Sequence, residues 1–413
     1  MPGLNPAKAF PVLQERRVLP IFEKIRKFTI PDEIKAAGVY NYFRVLESGQ
    51  DPVVRIGGRE MVMLGSNNYL GLTSHPKVKE RAAAALAKYG SGCAGSRFLN
   101  GTLDIHVELE EKLAAFMRKP AGLLFSTGFL VNEGVISSVA AKGDTIYLDR
   151  QDHACIYDGA RLAIGAEVKK FRHNDPVDLR RLLAMGQDRH GRILVVDGVF
   201  SMEGDIAPLP QYADVCDEWD MALMVDDAHG IGVLGAGGRG TAEHFEMEDR
   251  TDLIMGTFSK SLAAIGGFVV GEPDVIDFIK HRARALIFTA APPPASVAAV
   301  LAALEIIEDE PERREQLWEN ARFMMTGLMA IGFDCGESQT PVIPVVVGDD
   351  YVAFRMAQRL HEEGIFVNPV VSPASPPGRA LIRTSYMATH RREHLTRALE
   401  AFQKVGRELG VVR

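Results

Sequence analysis

Cysteine is scarce in this 413-residue chain: Cys93, Cys155, Cys216 and Cys335 are scattered along it, and no two form a C-x-x-C pair. That spacing excludes a disulfide framework and a cysteine-based zinc site, and it suits a reducing compartment such as the cytoplasm. Basic residues are not in excess. The 47 Lys and Arg stand against 54 Asp and Glu, so the charge gives no reason to expect nucleic acid as a partner. No G-x-G-x-x-G follows an early strand, and neither G-x-S-x-G nor H-E-x-x-H occurs, which removes the dinucleotide fingerprint, the hydrolase elbow and the metalloprotease helix. Gly235-Ala236-Gly237-Gly238-Arg239-Gly240 is rich in glycine but lacks the Lys-Ser/Thr of a phosphate loop, and it reads as a flexible loop. No metal site is expected.

Long apolar runs are also lacking. The longest, from Phe288 to Ile307, is interrupted by Pro292-Pro293-Pro294 and followed by Glu308-Asp309-Glu310. A membrane-spanning helix needs about 20 apolar residues without such a break, so Ala295 onward reads as a buried helix. The segment from Met1 to Ile30 mixes Arg16, Arg17, Lys24 and Lys27 with single apolar residues, and without the continuous apolar centre of a signal peptide it gives no expectation of secretion. Internal repeats, low-complexity tracts and Gly/Ser linkers are absent.

What is present is an ordinary globular composition, 46% hydrophobic and 24% charged, in a chain long enough for one large domain and a smaller lobe. Gly122–Phe125, Thr145–Leu148, Ile193–Val196, Ala222–Val225 and Gly267–Val270 are short apolar runs separated by amphipathic stretches. Such alternation predicts an α/β fold with a mostly parallel sheet covered on both faces. Near the end, Thr340–Val347, a helix over 350–363, a strand at Ile382-Arg383 and a helix over 391–409 predict a smaller C-terminal α+β lobe. The expected organisation is an N-terminal segment over 1–60, a large domain over 61–300 and a small domain over 301–413.

In a parallel α/β sheet, ligands bind beyond the carboxyl ends of the strands. Asp226-Asp227-Ala228-His229 follows the run ending at Val225, and Gly256-Thr257-Phe258-Ser259-Lys260-Ser261 is a turn of small residues downstream. An acid and a lysine so placed suggest a Schiff-base lysine with the partner of a protonated pyridine ring. Alternatively, the acid caps a turn or binds a metal with Asp227 and His229. Ser126-Thr127-Gly128-Phe129 opens a helix whose first N–H groups either hold a phosphate or are simply capped. His153 either stacks on an aromatic cofactor or is an ordinary loop histidine, and Cys155 reads as a small buried residue. Arg383 either grips a carboxylate with its fork or is a surface arginine at a strand end.

Taken in order, Asn67-Asn68-Tyr69-Leu70-Gly71, Gly95-Ser96-Arg97, Thr127-Gly128-Phe129, His153-Ala154, the segment from Gly198 to Asp205, Asp226-Asp227-Ala228-His229, Gly238-Arg239-Gly240, Lys260 and Arg383 resemble the α-oxoamine synthase family. The resemblance covers about residues 20 to 410. It implies a fold-type I, pyridoxal 5'-phosphate (PLP) dependent transferase that is a homodimer with shared active sites and condenses an amino acid with an acyl-CoA. In that frame Lys260 would carry the cofactor as a Schiff base, and Asp226 would pair with the ring nitrogen. His229 and Ser201 would lie near the phenolic oxygen, and His153 would stack on the ring. Thr257, Gly128 and Phe129 would hold the phosphate with Thr289 from the other subunit, while Arg383 and Asn67 would bind the substrate carboxylate.

The segments Asp152–Gly159, Gly256–Ser261 and Phe288-Thr289-Ala290 look most like the bacterial sphingolipid branch of that family. Ser259 replaces the glycine that other branches place before the lysine, while Cys155 departs from the serine common after His-Ala. The resemblance then implies L-serine and palmitoyl-CoA as substrates and 3-ketosphinganine, CoA and CO2 as products, with at most peripheral membrane contact. Glycine with acetyl-CoA, or another short or dicarboxylic acyl thioester, is the nearest alternative. A noncatalytic partner subunit fits less well, since it need not keep Lys260.

Overall fold

The computed structural model describes residues 19–186 and 190–413; Arg16, Arg17 and the start of the N-terminal segment lie outside these. The chain divides after Phe43. Before that point, the helices Pro20–Arg26 and Ile30–Ala36 bury no side chain.

In the second unit, β1 (Val53–Ile56) and β2 (Arg59–Met63) pair antiparallel across Gly57-Gly58, both at positive φ (57° and 73°). That is the backbone a two-residue hairpin demands, and glycine supplies it without steric cost. The main sheet follows in sequence: β3 (Ala121–Phe125), β4 (Thr145–Asp149), β5 (Glu167–Phe171), β6 (Arg192–Asp197), β7 (Ala222–Asp226), β8 (Leu253–Thr257) and β9 (Gly267–Gly271). Its spatial order is β3-β9-β8-β7-β6-β4-β5. From β8 to β5 every pairing is parallel, and β9 is antiparallel to both neighbours. β3 therefore runs with β8, and only β9 opposes the other six.

Alternation along these strands splits the core in two. Leu123, Phe125, Ile146, Leu148, Val195, Met224 and Met255 face the helices Gly128–Val139, Ala154–Leu162 and Pro273–Arg282. Leu124, Tyr147, Leu194, Val196, Val225 and Ile254 face the opposite layer, with the helices Asp104–Phe116, Leu209–Trp219 and Pro294–Asp309. Each such side chain contributes about 1.5–3 kcal/mol on burial, so the strands read as continuous apolar runs. The helix anticipated from Ala295 is Pro294–Asp309, and its Val297, Val300, Leu301 and Leu304 are buried.

Toward the C-terminus come β10 (Val342–Gly348), β11 (Ile365–Phe366), β12 (Asn368–Val370) and β13 (Ala380–Ser385). β13 lies between β10 and β12, antiparallel to both, whereas β11 pairs parallel with β2. The helices Asp350–Glu362 and Arg392–Glu408 appear where expected.

Two expectations change. Gly256 and Thr257 end β8 rather than opening a turn, and β5 and β8 join the sheet unanticipated. The loop 235–240 is fastened rather than loose: Gly237 and Arg239 donate backbone N–H groups to the Glu243 carboxylate at 2.9 Å, and Arg314 donates to the Ala236 carbonyl.

Candidate active site

The strand register collects the chemistry at one edge. Asp197 sits opposite Asp226, Asp226 opposite Met255, Thr257 opposite Gly267 and Gly267 opposite Phe125. The segments leaving β3, β4, β6, β7 and β8 thus emerge together. Between them lies a cavity of about 340 Å³ bordered by Gly128, Phe129, His153, Ser201, Asp226, His229, Thr257 and Lys260. Its size is at the lower end of small-ligand sites.

One end of the cavity suits an anion. Thr127 caps the helix Gly128–Val139, its Oγ1 accepting from the Leu130 N–H at 3.2 Å. The N–H groups of Gly128 and Phe129 have no carbonyl a turn earlier to pair with, and the helix dipole adds positive potential there. Thr257 Oγ1 lies 2.9 Å from Ser259 Oγ. A Cβ on Gly128 would come within 2.6 Å of Thr257 Oγ1, so glycine alone lets the hydroxyl and the helix end approach.

The other end holds an acid, an amine and two imidazoles. Asp226 is buried, with Oδ1 accepting from the Ala228 N–H (3.0 Å) and Oδ2 from Asn132 Nδ2 (2.6 Å). Lys260 borders the same cavity. Desolvation by the surrounding protein, only partly opposed by Asp226 and Asp197, pulls its ammonium down to about 8. His153 stands at the cavity wall, and desolvation lowers its pKa against the pull of Asp226. His229 is held well below the ordinary histidine value by burial and by the positive charges of Lys260 and Arg383. Its Nδ1 is 2.7 Å from the hydroxyl of the buried Tyr69. Both imidazoles are therefore neutral near pH 7.

Arg383 is not a surface residue. It lies within β13, 7% exposed, between Pro344 and Asn368. Its Nε donates to the Ser201 carbonyl and its Nη2 to Asn67 Oδ1. Asp227 turns away from the cavity, accepting from Thr241 N (2.6 Å) and Oγ1 (2.8 Å), and burial pushes its carboxyl up to about 7. Among the described residues, no group of three or more His, Cys, Asp or Glu side chains is arranged to hold a metal.

Residues 59–402 match the family model described as aminotransferase class I and II. A serine palmitoyltransferase of Sphingobacterium spiritivorum is 51% identical over 383 residues, 93% of this chain and 96% of that protein. An 8-amino-7-oxononanoate synthase of Thermoanaerobacter pseudethanolicus is 43% identical over 382 residues, 92% of this chain and 96% of that protein. The solved structure of a serine palmitoyltransferase from S. paucimobilis with a bound PLP–myriocin aldimine superposes with a TM-score of 0.92 at 36% identity, covering 96% of this chain and all of that one. The chain belongs to the class I and II aminotransferase family, within its α-oxoamine synthases.

For an α-oxoamine synthase the donor set fits PLP: unpaired helix N–H groups and hydroxyls at one end, a carboxylate at the other, and an amine and an imidazole between. The structure brings together Lys260, Asp226, His229, His153, Ser201, Thr257, Gly128 and Phe129, and joins Arg383 and Asn67 to them through Ser201. It does not bring Thr289 to the cavity rim within one chain. Sequence reasoning missed Asn132 and the partnership of Tyr69 with His229. It also missed Asp197, whose Oδ2 accepts the His153 N–H at 2.7 Å. The signal for Asp197 was there: β4, β6 and β7 each end on an aspartate at the same edge.

Proposed function

We propose that this α-oxoamine synthase catalyses the PLP-dependent condensation of L-serine with a long-chain acyl-CoA, palmitoyl-CoA, giving 3-ketosphinganine, CoA and CO2. The observation that carries the reading is Lys260: an amine held near neutrality in the same cavity as Asp226 and His153. The 51% identity with a serine palmitoyltransferase over nearly the full chain supports serine as the amino acid.

PLP, when bound, supplies an electron sink for negative charge at the substrate Cα. The N–H groups of Gly128 and Phe129 and the hydroxyl of Thr257 would hold its phosphate, Asp226 its ring nitrogen, and His229 with Ser201 its phenolic oxygen. His153 would cover the ring face. Arg383, steadied by Asn67, would take the serine carboxylate through its fork. Lys260, as a free amine beside the substrate Cα, would be the base that removes its proton, and a pKa of about 8 suits that task near neutral pH. The thioester then loses CoA as Cα bonds to the acyl carbon, the carboxylate leaves as CO2, and the proton that Lys260 took would return to Cα to complete the amino ketone.

We also propose a homodimer in which Thr289 of the partner subunit completes the phosphate site. Phe98, Leu99 and Phe288, within three residues of the Ser96–Ala290 bridge along the chain, have exposed side chains (56%, 79% and 71%), apolar surface suited to a second copy. Residues 1–60 would then be the N-terminal segment, 61–300 the cofactor-holding domain and 301–413 the lobe that delivers Arg383. No helix among the described residues is long and apolar enough to cross a membrane; a cytoplasmic enzyme that meets its lipid substrate peripherally accords with that.

Free CoA release, measured while amino acids and acyl-chain lengths are scanned, tests the function. Turnover with serine and palmitoyl-CoA well above that with glycine and acetyl-CoA is expected. A preference for a short or dicarboxylic thioester would assign the chain to the oxononanoate-synthase type, the second reading that the 43% identical relative favours.

A further inference from the structure

Asn132 sits fully buried in the apolar stretch of the helix Gly128–Val139, and the roles proposed above make no use of it. A primary amide in a core destabilises the fold unless its hydrogen bonds are made. Its Nδ2 makes two: one to Asp226 Oδ2 at 2.6 Å and one to Cys155 Sγ at 3.0 Å. Reversing the amide would set its oxygen against a carboxylate, so the donor side must face Asp226. Oδ1 has no partner.

From Cys155 the connection continues. Its Sγ lies 2.9 Å from His153 Nδ1, and its backbone N–H reaches the same nitrogen at 3.3 Å. Burial and the nearby Asp226 push the thiol pKa far up, so sulfur keeps its proton, while His153 is neutral. The donors then fall into one order. Asn132 donates one N–H to Asp226 and the other to the sulfur, and the thiol donates to His153 Nδ1. That nitrogen accepts twice, which leaves the imidazole proton on Nε2.

We propose that Asn132 is a positioning residue that, through Cys155, fixes Asp226 and His153 in one mutual orientation and fixes the His153 tautomer. The proposal rests on the reading that PLP is the cofactor these two residues serve. An amide that merely filled space would affect folding without changing how the cofactor titrates.

The test compares wild type, Asn132→Ala, Cys155→Ala and Cys155→Ser, each loaded with PLP. In Asn132→Ala and Cys155→Ala, the midpoint of the visible absorbance titration shifts by at least about half a pH unit. Both variants lose roughly ten-fold in kcat, with the KM for acyl-CoA within about two-fold of wild type. Cys155→Ser, whose hydroxyl can accept and donate in the same places, recovers most of both. In the cofactor-free proteins, nitrogen NMR finds His153 as the Nε2–H form in wild type and with a larger Nδ1–H share in Cys155→Ala, where only the longer backbone N–H bond still holds Nδ1. A wild-type midpoint in folded Asn132→Ala overturns the proposal, as does Cys155→Ala behaving like Cys155→Ser; if Asn132→Ala does not fold, the Cys155 pair decides. Wild type that binds PLP but releases no CoA with serine would instead refute the proposed substrate and leave these titrations to decide on Asn132.

Discussion

Arg383 Nη2 donates to Asn67 Oδ1 across 3.0 Å, joining residues 316 positions apart in the chain. The same guanidinium donates from Nε to the Ser201 carbonyl at 2.6 Å, so its plane is set on two sides before any substrate arrives. A pre-oriented fork grips a carboxylate bidentately, and lysine at the same place keeps the charge but not the geometry. Arg383→Lys is expected to raise the KM for L-serine by roughly ten-fold or more, with little change in the KM for acyl-CoA. Initial rates at varied serine decide this; an unchanged KM for serine would remove Arg383 from the carboxylate site.

Lys260 gives a pH dependence with a definite sign. Only the free amine adds to an aldehyde, and this amine loses its proton at about 8 rather than at the ordinary 10.5. Covalent uptake of PLP by the cofactor-free protein should accelerate about ten-fold per pH unit below that point and level off above it. Borohydride trapping at timed intervals measures the rate. Lys260→Ala should trap nothing and show no turnover.

His173 bridges Asp149 Oδ1 (3.0 Å) and Asp205 Oδ2 (2.8 Å) through its two ring nitrogens. Burial disfavours its charge, but the two carboxylates outweigh burial and raise its pKa to about 9 from 6.5. A raised folded-state pKa means that the stabilisation is fully present below 6.5 and is lost as the pH rises through about 9. The stability gap between wild type and His173→Gln should therefore narrow by about 3 kcal/mol across that window. Urea unfolding at several pH values tests it, and a gap constant with pH would show that the imidazolium contributes nothing.

Much of the architecture was legible because β4, β6 and β7 are apolar runs closed by an acid, and burial on both faces keeps charged residues out of their interiors. β5 escaped notice as an edge strand whose Glu167 and Lys170 face water, a composition that protects an edge from pairing. β8 escaped because Gly256 and Thr257 speak for a turn, and only pairing with β7 and β9 overrides that. Arg383 resembled a strand end because Thr384 and Ser385 follow it. Both are buried, their hydroxyls donating to the carbonyls of Ile343 and Ser66 at 2.7 Å. The cofactor residues could be recognised from their order along the chain. Asn132 was visible as a lone amide in an apolar helix, but its partners lie 23 and 94 positions away, and only the folded chain reveals them.

Stability near the proposed phosphate site depends on one buried ion pair. Arg97 donates from Nη1 and Nη2 to the two oxygens of Glu110 at 2.9 and 3.0 Å, and Glu110 Oε1 also accepts the Leu124 N–H of β3 at 2.9 Å. The side chains are 6% and 12% exposed, so each charge has given up water for the other. Removing one partner leaves the second charged and unpaired, a loss of about 3–5 kcal/mol, whereas replacing both with apolar groups of similar volume costs far less. Glu110→Ala should therefore unfold at much lower denaturant concentration than wild type. The double variant Arg97→Met with Glu110→Leu should recover much of that difference in equilibrium unfolding. Equal losses in the single and double variants would show that the β3 N–H bond, rather than the ion pair, carries the effect.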